Sequence, residues 1–241
     1  MIPLRDANPT RRTPVVTIGI LAACVVAWAW ELGLLASGGN ASLDAFVTAW
    51  GVVPAELLKA WGAGQVVSQE TATLITSQFL HGGWLHLLGN MLYLWIFANN
   101  VEDRLGRPGF LLFYLAGGVA AALAQVAVDP TSTIPTIGAS GAIAATLGAY
   151  VVFYPRARIT SLVFLGFFYQ LIDVPAVLVL GFWFVLQVID GLTSMGMVES
   201  NSGGVAIFAH IGGFLAGASV ARLLVARGLG SGRPRAPASV G

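Results

Sequence analysis

Long apolar runs, separated by short polar segments, dominate the hydropathy pattern of this chain. Six of them approach or exceed the roughly 20 residues that an α-helix needs to cross the hydrocarbon core of a bilayer. The runs occupy residues 14–37, 84–101, 109–128, 137–154, 174–192 and 204–226. The pattern therefore predicts an all-α polytopic membrane protein, with six transmembrane helices in a single membrane domain over residues 14–226.

Two further segments do not fit the spanning pattern. The apolar stretch 159–172 is shorter than the roughly 20 residues of a spanning helix, so we expect an interfacial or re-entrant segment. The first outer loop, residues 38–83, is too long for a plain connector. Its apolar pieces 45–53 and 55–61 are suited to lying on the membrane surface.

The distribution of arginine orients these spans, because cytoplasmic loops are enriched in positive charge. With six spans, one side of the membrane receives almost every basic residue, and Lys59 alone falls on the other side. We therefore expect residues 1–13 to be a cytoplasmic N-terminus and residues 227–241 to be a disordered, basic cytoplasmic tail. The arginines on the cytoplasmic side are Arg5, Arg11, Arg12, Arg104, Arg107, Arg156, Arg158, Arg222, Arg227, Arg233 and Arg235.

Composition narrows the possible functions. Hydrophobic residues make up 56% of the chain and charged residues 10%, whereas soluble domains carry roughly 25% charged residues. The net charge of +1 gives no nucleic-acid footprint. A single cysteine, Cys24, excludes an intramolecular disulfide and a cysteine metal cluster. No His-Glu-x-x-His motif is present, so we expect neither a metal nor another cofactor.

Polar side chains within the apolar runs are the candidate functional groups, because they are costly inside a membrane. His86 and Asn90 lie four residues apart, on one face of the second run. His210 is in the sixth run, and Ser140 heads the fourth, in the sequence GASGAIAATLGAY. In the predicted topology these runs all begin at the outer face, so the four side chains share one layer of the membrane.

The chemistry of the four residues is complementary. A serine hydroxyl becomes nucleophilic when a neutral histidine accepts its proton, which assigns these roles to Ser140 and His210. The Asn90 amide, a His86 ring N–H and the Ser140 main-chain N–H would stabilise an oxyanion. Small residues provide a simpler alternative, in which Ser140 and Asn90 serve only helix packing. The glycines that permit close approach at this site are Gly138, Gly141, Gly213 and Gly217.

Three ordered motifs resemble the bacterial, six-span rhomboid intramembrane serine proteases. They are Gly-Ala-Ser-Gly ending at Gly141, the His-x-x-x-Asn pair at His86, and Ala-His-x-x-Gly-x-x-x-Gly ending at Gly217. The resemblance implies a Ser140–His210 dyad without an acidic third member. It implies transmembrane protein substrates, cut near the outer boundary of a bacterial plasma membrane. The sequence EDRLG, from Glu102, also resembles the family.

The chain departs from the family at two places. Many relatives have a Trp-Arg pair in the first outer loop, where this chain has Trp50-Gly51 and Trp61-Gly62. An aromatic residue often follows the serine by four positions and stacks on the histidine. Here that position is Ala144, so another residue must orient His210.

Functions other than serine proteolysis fit the sequence less well. An intramembrane aspartyl protease would need Asp173 and Asp190 as a pair, but they flank the fifth run on opposite sides. The spacing of His81 and His86 does not suit zinc, and we expect His81 at the membrane interface. A non-catalytic relative that binds membrane helices remains the alternative. The sequence does not identify the substrate, the cut site or the oligomeric state.

Overall fold

A computed structural model describes residues 2–165, 168–195 and 206–228 of the chain. These residues form eight α-helices, one 3₁₀ turn and three strands. In chain order the elements are β1 (Ile2–Asp6), α1 (Val15–Trp50), α2 (Pro54–Gly62), α3 (Gln69–Thr76), the 3₁₀ turn (Ser77–Phe79), α4 (Trp84–Leu105), α5 (Arg107–Val128), α6 (Ser140–Phe153), β2 (Arg158–Leu165), β3 (Phe168–Pro175), α7 (Ala176–Met195) and α8 (Ile207–Ala226).

Helix α6 lies at the centre of the fold. Every residue from 141 to 150 is buried, because the helix packs against α4, α5 and α8. A helix that is apolar on all sides is expected to be enclosed in this way. Its 14 residues measure about 21 Å, which is less than the roughly 30 Å of hydrocarbon in a bilayer. Enclosure by protein explains how so short a helix is accommodated at membrane depth.

Glycines bring α6 and α8 into backbone contact. A Cβ added at Gly213 would collide with the carbonyl oxygen of Gly141, and one at Gly217 would collide with that of Ala145. Contacting positions increase together along the two helices, so α6 and α8 run parallel. Small residues at such crossings allow helices in membranes to pack closely.

Three helices within the described residues are long and apolar enough to cross a membrane: α1, α5 and α8. Helix α4 ends in the charged sequence EDR, α6 is short, and the apolar part of α7 is Ala176–Leu186. The chain is thus a mostly helical membrane protein. The number of six spans stays a prediction.

A three-stranded antiparallel sheet of order β1-β2-β3 corrects the all-α prediction. The stretch 159–172 leaves as β2 and returns as β3, so Arg158 lies opposite Pro175 and the stretch does not cross the bundle. The predicted N-terminal segment contributes β1, in which Ile2 pairs with Leu162. A short apolar run cannot be assigned to helix or strand from periodicity alone.

Polar contacts hold the start of the chain against the ends of α4 and α6. Asp6 accepts hydrogen bonds from Asn100 Nδ2 at 2.5 Å and from the Tyr150 hydroxyl at 2.9 Å. Glu102 accepts the main-chain N–H groups of Val16 at 3.0 Å and Thr17 at 2.7 Å, which caps the first turn of α1. These ends therefore lie close together in the fold.

The predicted first outer loop is largely helical. Helix α1 continues beyond the predicted end of the first span, as far as Trp50, and is broken only at Gly39, whose φ of 66° favours glycine. Helices α2 and α3 follow, so the loop is a folded cap rather than an irregular connector. The predicted disordered tail lies outside the described residues beyond Gly228.

Candidate active site

Ser140 and His210 are in hydrogen-bond contact. The Nε2 atom of His210 lies 2.7 Å from the Ser140 hydroxyl oxygen. Ser140 is the first residue of α6, and His210 is the fourth residue of α8. The parallel, glycine-lined crossing of these helices brings together two side chains that are 70 positions apart. Neutral imidazole in this position is able to accept the serine proton.

His86 approaches the same point from α4. Gly138 has a φ of +129°, a conformation that favours glycine, and its N–H donates to the Ser77 carbonyl at 2.8 Å. A Cβ at position 138 would lie 2.7 Å from His86 Nε2 and 3.4 Å from the Ser140 hydroxyl. The missing side chain thus leaves room for the His86 ring beside the serine.

Asn90 lies one turn after His86 on α4, and its side chain is buried. Its Nδ2 atom has no hydrogen-bond partner among the described residues. Ser140 adds a main-chain N–H at the start of α6, where the helix supplies no acceptor. A buried donor without a partner is unfavourable, unless it serves a ligand or a reacting group.

The hydrogen bond to His86 favours one of its tautomers. The main-chain N–H of Gly82 donates to His86 Nδ1 at 3.3 Å. A main-chain N–H cannot accept, so this contact favours the neutral His86 tautomer that has an unprotonated Nδ1 and its proton on Nε2. That nitrogen is the one beside Gly138, so the ring presents a donor toward the serine.

His81 is buried within the protein, and its predicted location at the membrane interface stays a prediction. Its Nδ1 lies 3.1 Å from the Phe79 carbonyl oxygen, and its ring packs edge-on against His86 at 5.2 Å. The pKa of the His81 imidazole is lowered to about 4. Burial is the main cause, and the nearby His86 is the second. His81 is therefore neutral at pH 7 and supports the His86 ring.

Trp183 of α7 packs beside His210, whereas position 144 of α6 has no aromatic ring to offer. Their ring centroids are 5.9 Å apart with an interplanar angle of 39°. The sequence pattern alone does not predict this contact. The aromatic triplet that begins at Phe182 is the signal, and in the fold its members diverge: Phe182 is 61% exposed, whereas Phe184 packs on Phe214 with ring centroids 4.6 Å apart.

The first outer loop is anchored without the Trp-Arg pair. The Trp50 carbonyl accepts a hydrogen bond from the Thr76 hydroxyl at 2.8 Å, and the Trp61 indole donates to the Thr71 hydroxyl at 2.8 Å. Both contacts join α3 to the preceding helices. Helix α3 leads directly into the 3₁₀ turn, whose Ser77 carbonyl accepts the Gly138 N–H.

Several other features lie apart from this cluster. Asp173 accepts from the Thr160 hydroxyl at 2.7 Å within the sheet, and the side chain of Asp190 lies outside the described residues. A cavity of about 470 Å³ opens between α5 and α8, lined by Arg104 and apolar residues, and does not include Ser140. Within the described ranges, no three His, Cys, Asp or Glu side chains are grouped to hold a metal ion.

Comparisons with known proteins agree with these motifs. Residues 68–227 match the family model of the rhomboid domain. The chain is 36% identical over 167 residues to rhomboid protease GluP of Bacillus subtilis, which is 67% of this chain and 28% of that protein.

Two relatives from eukaryotes are also similar. Presenilin-associated rhomboid-like protein A, mitochondrial, of Danio rerio is 35% identical over 36% of this chain and 23% of its own length. Rhomboid-like protein 11, chloroplastic, of Arabidopsis thaliana is 31% identical over 62% of this chain and 51% of its own. The chain thus spans about half, or less, of the length of each of these relatives. The chain belongs to the rhomboid family.

Proposed function

We propose that this protein is an intramembrane serine endopeptidase in which Ser140 is the nucleophile and His210 the general base. The 2.7 Å contact between His210 Nε2 and the Ser140 hydroxyl carries the proposal. His210 accepts the serine proton as the oxygen attacks the scissile carbonyl, and later donates it to the leaving amine. A water molecule then hydrolyses the acyl-enzyme by the same route.

Negative charge on the tetrahedral intermediate requires donors in fixed positions. We assign this role to His86 Nε2–H, Asn90 Nδ2 and the Ser140 main-chain N–H. The tautomer of His86, which the Gly82 contact favours, and the unpartnered amide of Asn90 support the assignment. Pre-positioned donors need no reorganisation during the reaction, which is the source of their effect.

The proposed substrates are single transmembrane helices, cut near the outer membrane boundary. In the predicted topology of six spans and cytoplasmic termini, Ser140, the first residue of the short helix α6, would lie a limited distance below the outer surface. Backbone groups cannot leave their helical hydrogen bonds in lipid without a large cost. We therefore expect good substrates to contain small or helix-weakening residues near their outer end.

Substrates are proposed to enter sideways past α7. The exposed Phe182 and the inward-facing Trp183 and Phe184 form a wall beside His210, and α7 makes few contacts with α6. The folded first outer loop would cover the site between events. A bacterial plasma membrane is the proposed location, on the strength of the similarity to the Bacillus protein.

The first test is covalent labelling of the purified protein by a serine-reactive fluorophosphonate, with cleavage of a model transmembrane substrate measured in parallel. Ser140→Ala should lose both labelling and cleavage, and His210→Ala should lose cleavage, while both variants retain helical content. Ser161→Ala, at a buried serine in β2, is the matched control and should keep both. Near-normal cleavage by the Ser140→Ala protein would falsify the mechanism.

A second test addresses the substrate. Glycine or proline residues around a mapped cut site are replaced by leucine, at constant length of the substrate span. Slower cutting of the stiffened helix is the expected result. Equal rates, or cuts in the cytoplasmic half, would contradict the outer-face, unwinding-dependent mechanism.

A non-catalytic protein that binds membrane helices is the alternative function. Binding alone requires no hydrogen bond between Ser140 and His210. Capture of a substrate helix without labelling or cleavage by the wild-type protein would favour it.

A further inference from the structure

Glu31 is a buried acidic residue within α1, the first apolar helix, and only 1% of its surface is exposed. Acidic side chains at membrane depth are unfavourable unless they are paired or hydrogen-bonded, and each is a functional candidate by default. None of the roles assigned above to Ser140, His210, His86 and Asn90 includes it.

The carboxylate contacts the segment that leads into α4. Both of its oxygens accept the main-chain N–H of His81, at 3.2 and 3.3 Å. This N–H is buried, so it would be unsatisfied without Glu31. Glu31 thus joins the first membrane helix to a short turn between the 3₁₀ helix and α4.

Main-chain hydrogen bonds are important in this turn, because the two residues that follow His81 carry no side chains. Residues 82 and 83 are both glycine, so no side chains from them restrict the main chain. The next N–H after that of His81 belongs to Gly82 and donates to His86 Nδ1 at 3.3 Å. By holding His81, the Glu31 contact helps to keep the adjacent Gly82 N–H directed at His86 Nδ1.

The consequence reaches the reacting atoms through two hydrogen bonds. With Nδ1 occupied as an acceptor, His86 keeps its proton on Nε2, which lies beside Gly138 and Ser140. Without that contact the two neutral tautomers of His86 would compete. In one of them the ring would present a lone pair, rather than a donor, to the oxyanion.

We propose that Glu31 is a positioning residue, which holds the turn at His81 and Gly82 so that His86 is protonated at Nε2. The effect on catalysis rests on the proposed function, because it requires His86 to stabilise the oxyanion. The effect on the tautomer of His86 does not depend on any activity.

The test measures the tautomer directly. The chain contains three histidines, so ¹⁵N labelling of histidine gives a small set of ring resonances, and His86→Gln assigns those of residue 86. In the wild-type protein, at neutral pH in lipid nanodiscs, His86 should show a protonated Nε2 and an unprotonated Nδ1. Glu31→Leu should give a mixture of tautomers, whereas Glu31→Gln, whose amide oxygen still accepts the His81 N–H, should restore the wild-type state.

Trp28→Leu is the matched control. Trp28 lies one turn before Glu31 on α1 and packs edge-on against Trp84, the first residue of α4, with ring centroids 5.4 Å apart. Its loss should lower thermal stability and leave the His86 tautomer unchanged. If Glu31→Leu does not fold, Glu31→Asp, which retracts the carboxylate by one methylene, takes its place and should also give mixed tautomers.

Cleavage kinetics provide the second readout. Glu31→Leu should lower kcat about 10-fold with little change in KM, which is less than the roughly 10²–10³-fold cost of removing a whole oxyanion donor. An unchanged Nε2–H tautomer in a folded Glu31→Leu or Glu31→Asp protein would overturn the proposal. An inactive wild-type protein with the expected tautomer shift would instead refute the proposed protease function alone.

Discussion

The indole ring of Trp183 in α7 packs beside the imidazole ring of His210 in α8, with ring centroids 5.9 Å apart and an interplanar angle of 39°. The two residues come from different helices, and the contact covers one face of the proposed general base. An aromatic residue four positions after the serine would do the same from within α6. In this chain that position is the buried Ala144, and the supporting ring is supplied by a neighbouring helix.

We expect Trp183→Ala to lower kcat about 10-fold, because general-base catalysis contributes roughly 10²–10⁴ and a poorly oriented base forfeits part of it. Trp183→Phe, which keeps a ring against His210, should lose less. Steady-state cleavage of a transmembrane substrate provides the measurement. Leu178→Ala is the control, since Leu178 is exposed on the same helix. Equal effects at the two positions would argue against a role in orienting His210.

The crossing of α6 and α8 should not tolerate a side chain at Gly213. A Cβ there would collide with the Gly141 carbonyl, so Gly213→Val must separate the helices that carry Ser140 and His210. Overpacking of this kind costs about 1–3 kcal/mol, and we expect activity to be lost with the thermal stability. Gly19→Val in α1, where nothing lies within 4 Å, should behave as wild type. A stable, active Gly213→Val protein would be incompatible with the crossing described here.

Removal of either proposed oxyanion donor should produce a graded loss. His86→Ala and Asn90→Ala should each lower kcat, by up to the roughly 10²–10³-fold seen when one such donor is deleted. The double variant should lose more than either single variant. Wild-type rates in all three would reduce both side chains to packing groups.

Glu102 should be important for stability rather than for chemistry. It accepts the Val16 and Thr17 N–H groups and the Thr17 hydroxyl, all at the start of α1. Hydrogen bonds to charged groups contribute about 1.5–3 kcal/mol, so Glu102→Ala should lower the free energy of unfolding by about that amount or more. Denaturant titration is the measurement. Asp44→Ala, at an exposed acid on α1, should change little.

His81 should make the fold sensitive to acid. Its pKa is lowered to about 4 in the folded protein, against about 6.5 in an unfolded chain. Its contribution is therefore fully present above pH 6.5. It falls by about 1.4 kcal/mol per pH unit as the pH drops toward 4, because the unfolded state binds a proton that the folded state does not.

The matched variant is His81→Asn, whose free energy of unfolding should vary less between pH 6.5 and pH 4 than that of the wild-type protein. Parallel denaturant titrations over this range provide the comparison. The same slope in both proteins would mean that the acid sensitivity arises elsewhere.

Sequence alone locates the residues that meet at Ser140, because costly polar groups in apolar runs are few and their helical spacing is readable. The sequence predicts Ser140, His86 and His210 as functional residues, and the fold brings them to one point. Long apolar periodicity likewise predicts the helices. The roles of these residues remain proposals.

What sequence does not reveal are contacts that depend on tertiary geometry. Trp183 and Glu31 come from helices whose rotation relative to Ser140 is not encoded in local spacing. Local sequence patterns do not predict the sheet, because the strand that completes it, Ile2–Asp6, lies more than 150 positions before its partner. The burial of His81 likewise depends on tertiary contacts that its local sequence does not predict.

Helix α7 begins where β3 ends, and the Ala176 N–H donates to the Ala157 carbonyl at 2.8 Å, so the sheet clamps this end of the helix. If Ala176 stays in place, an outward tilt of α7 pivots the helix about the end that adjoins the sheet. At 1.5 Å per residue Trp183 lies about 10 Å from this pivot and the far end about 28 Å away, so a 10° tilt moves them by about 2 Å and about 5 Å. Such a tilt would move the far end of α7 more than twice as far as the Trp183 ring beside His210.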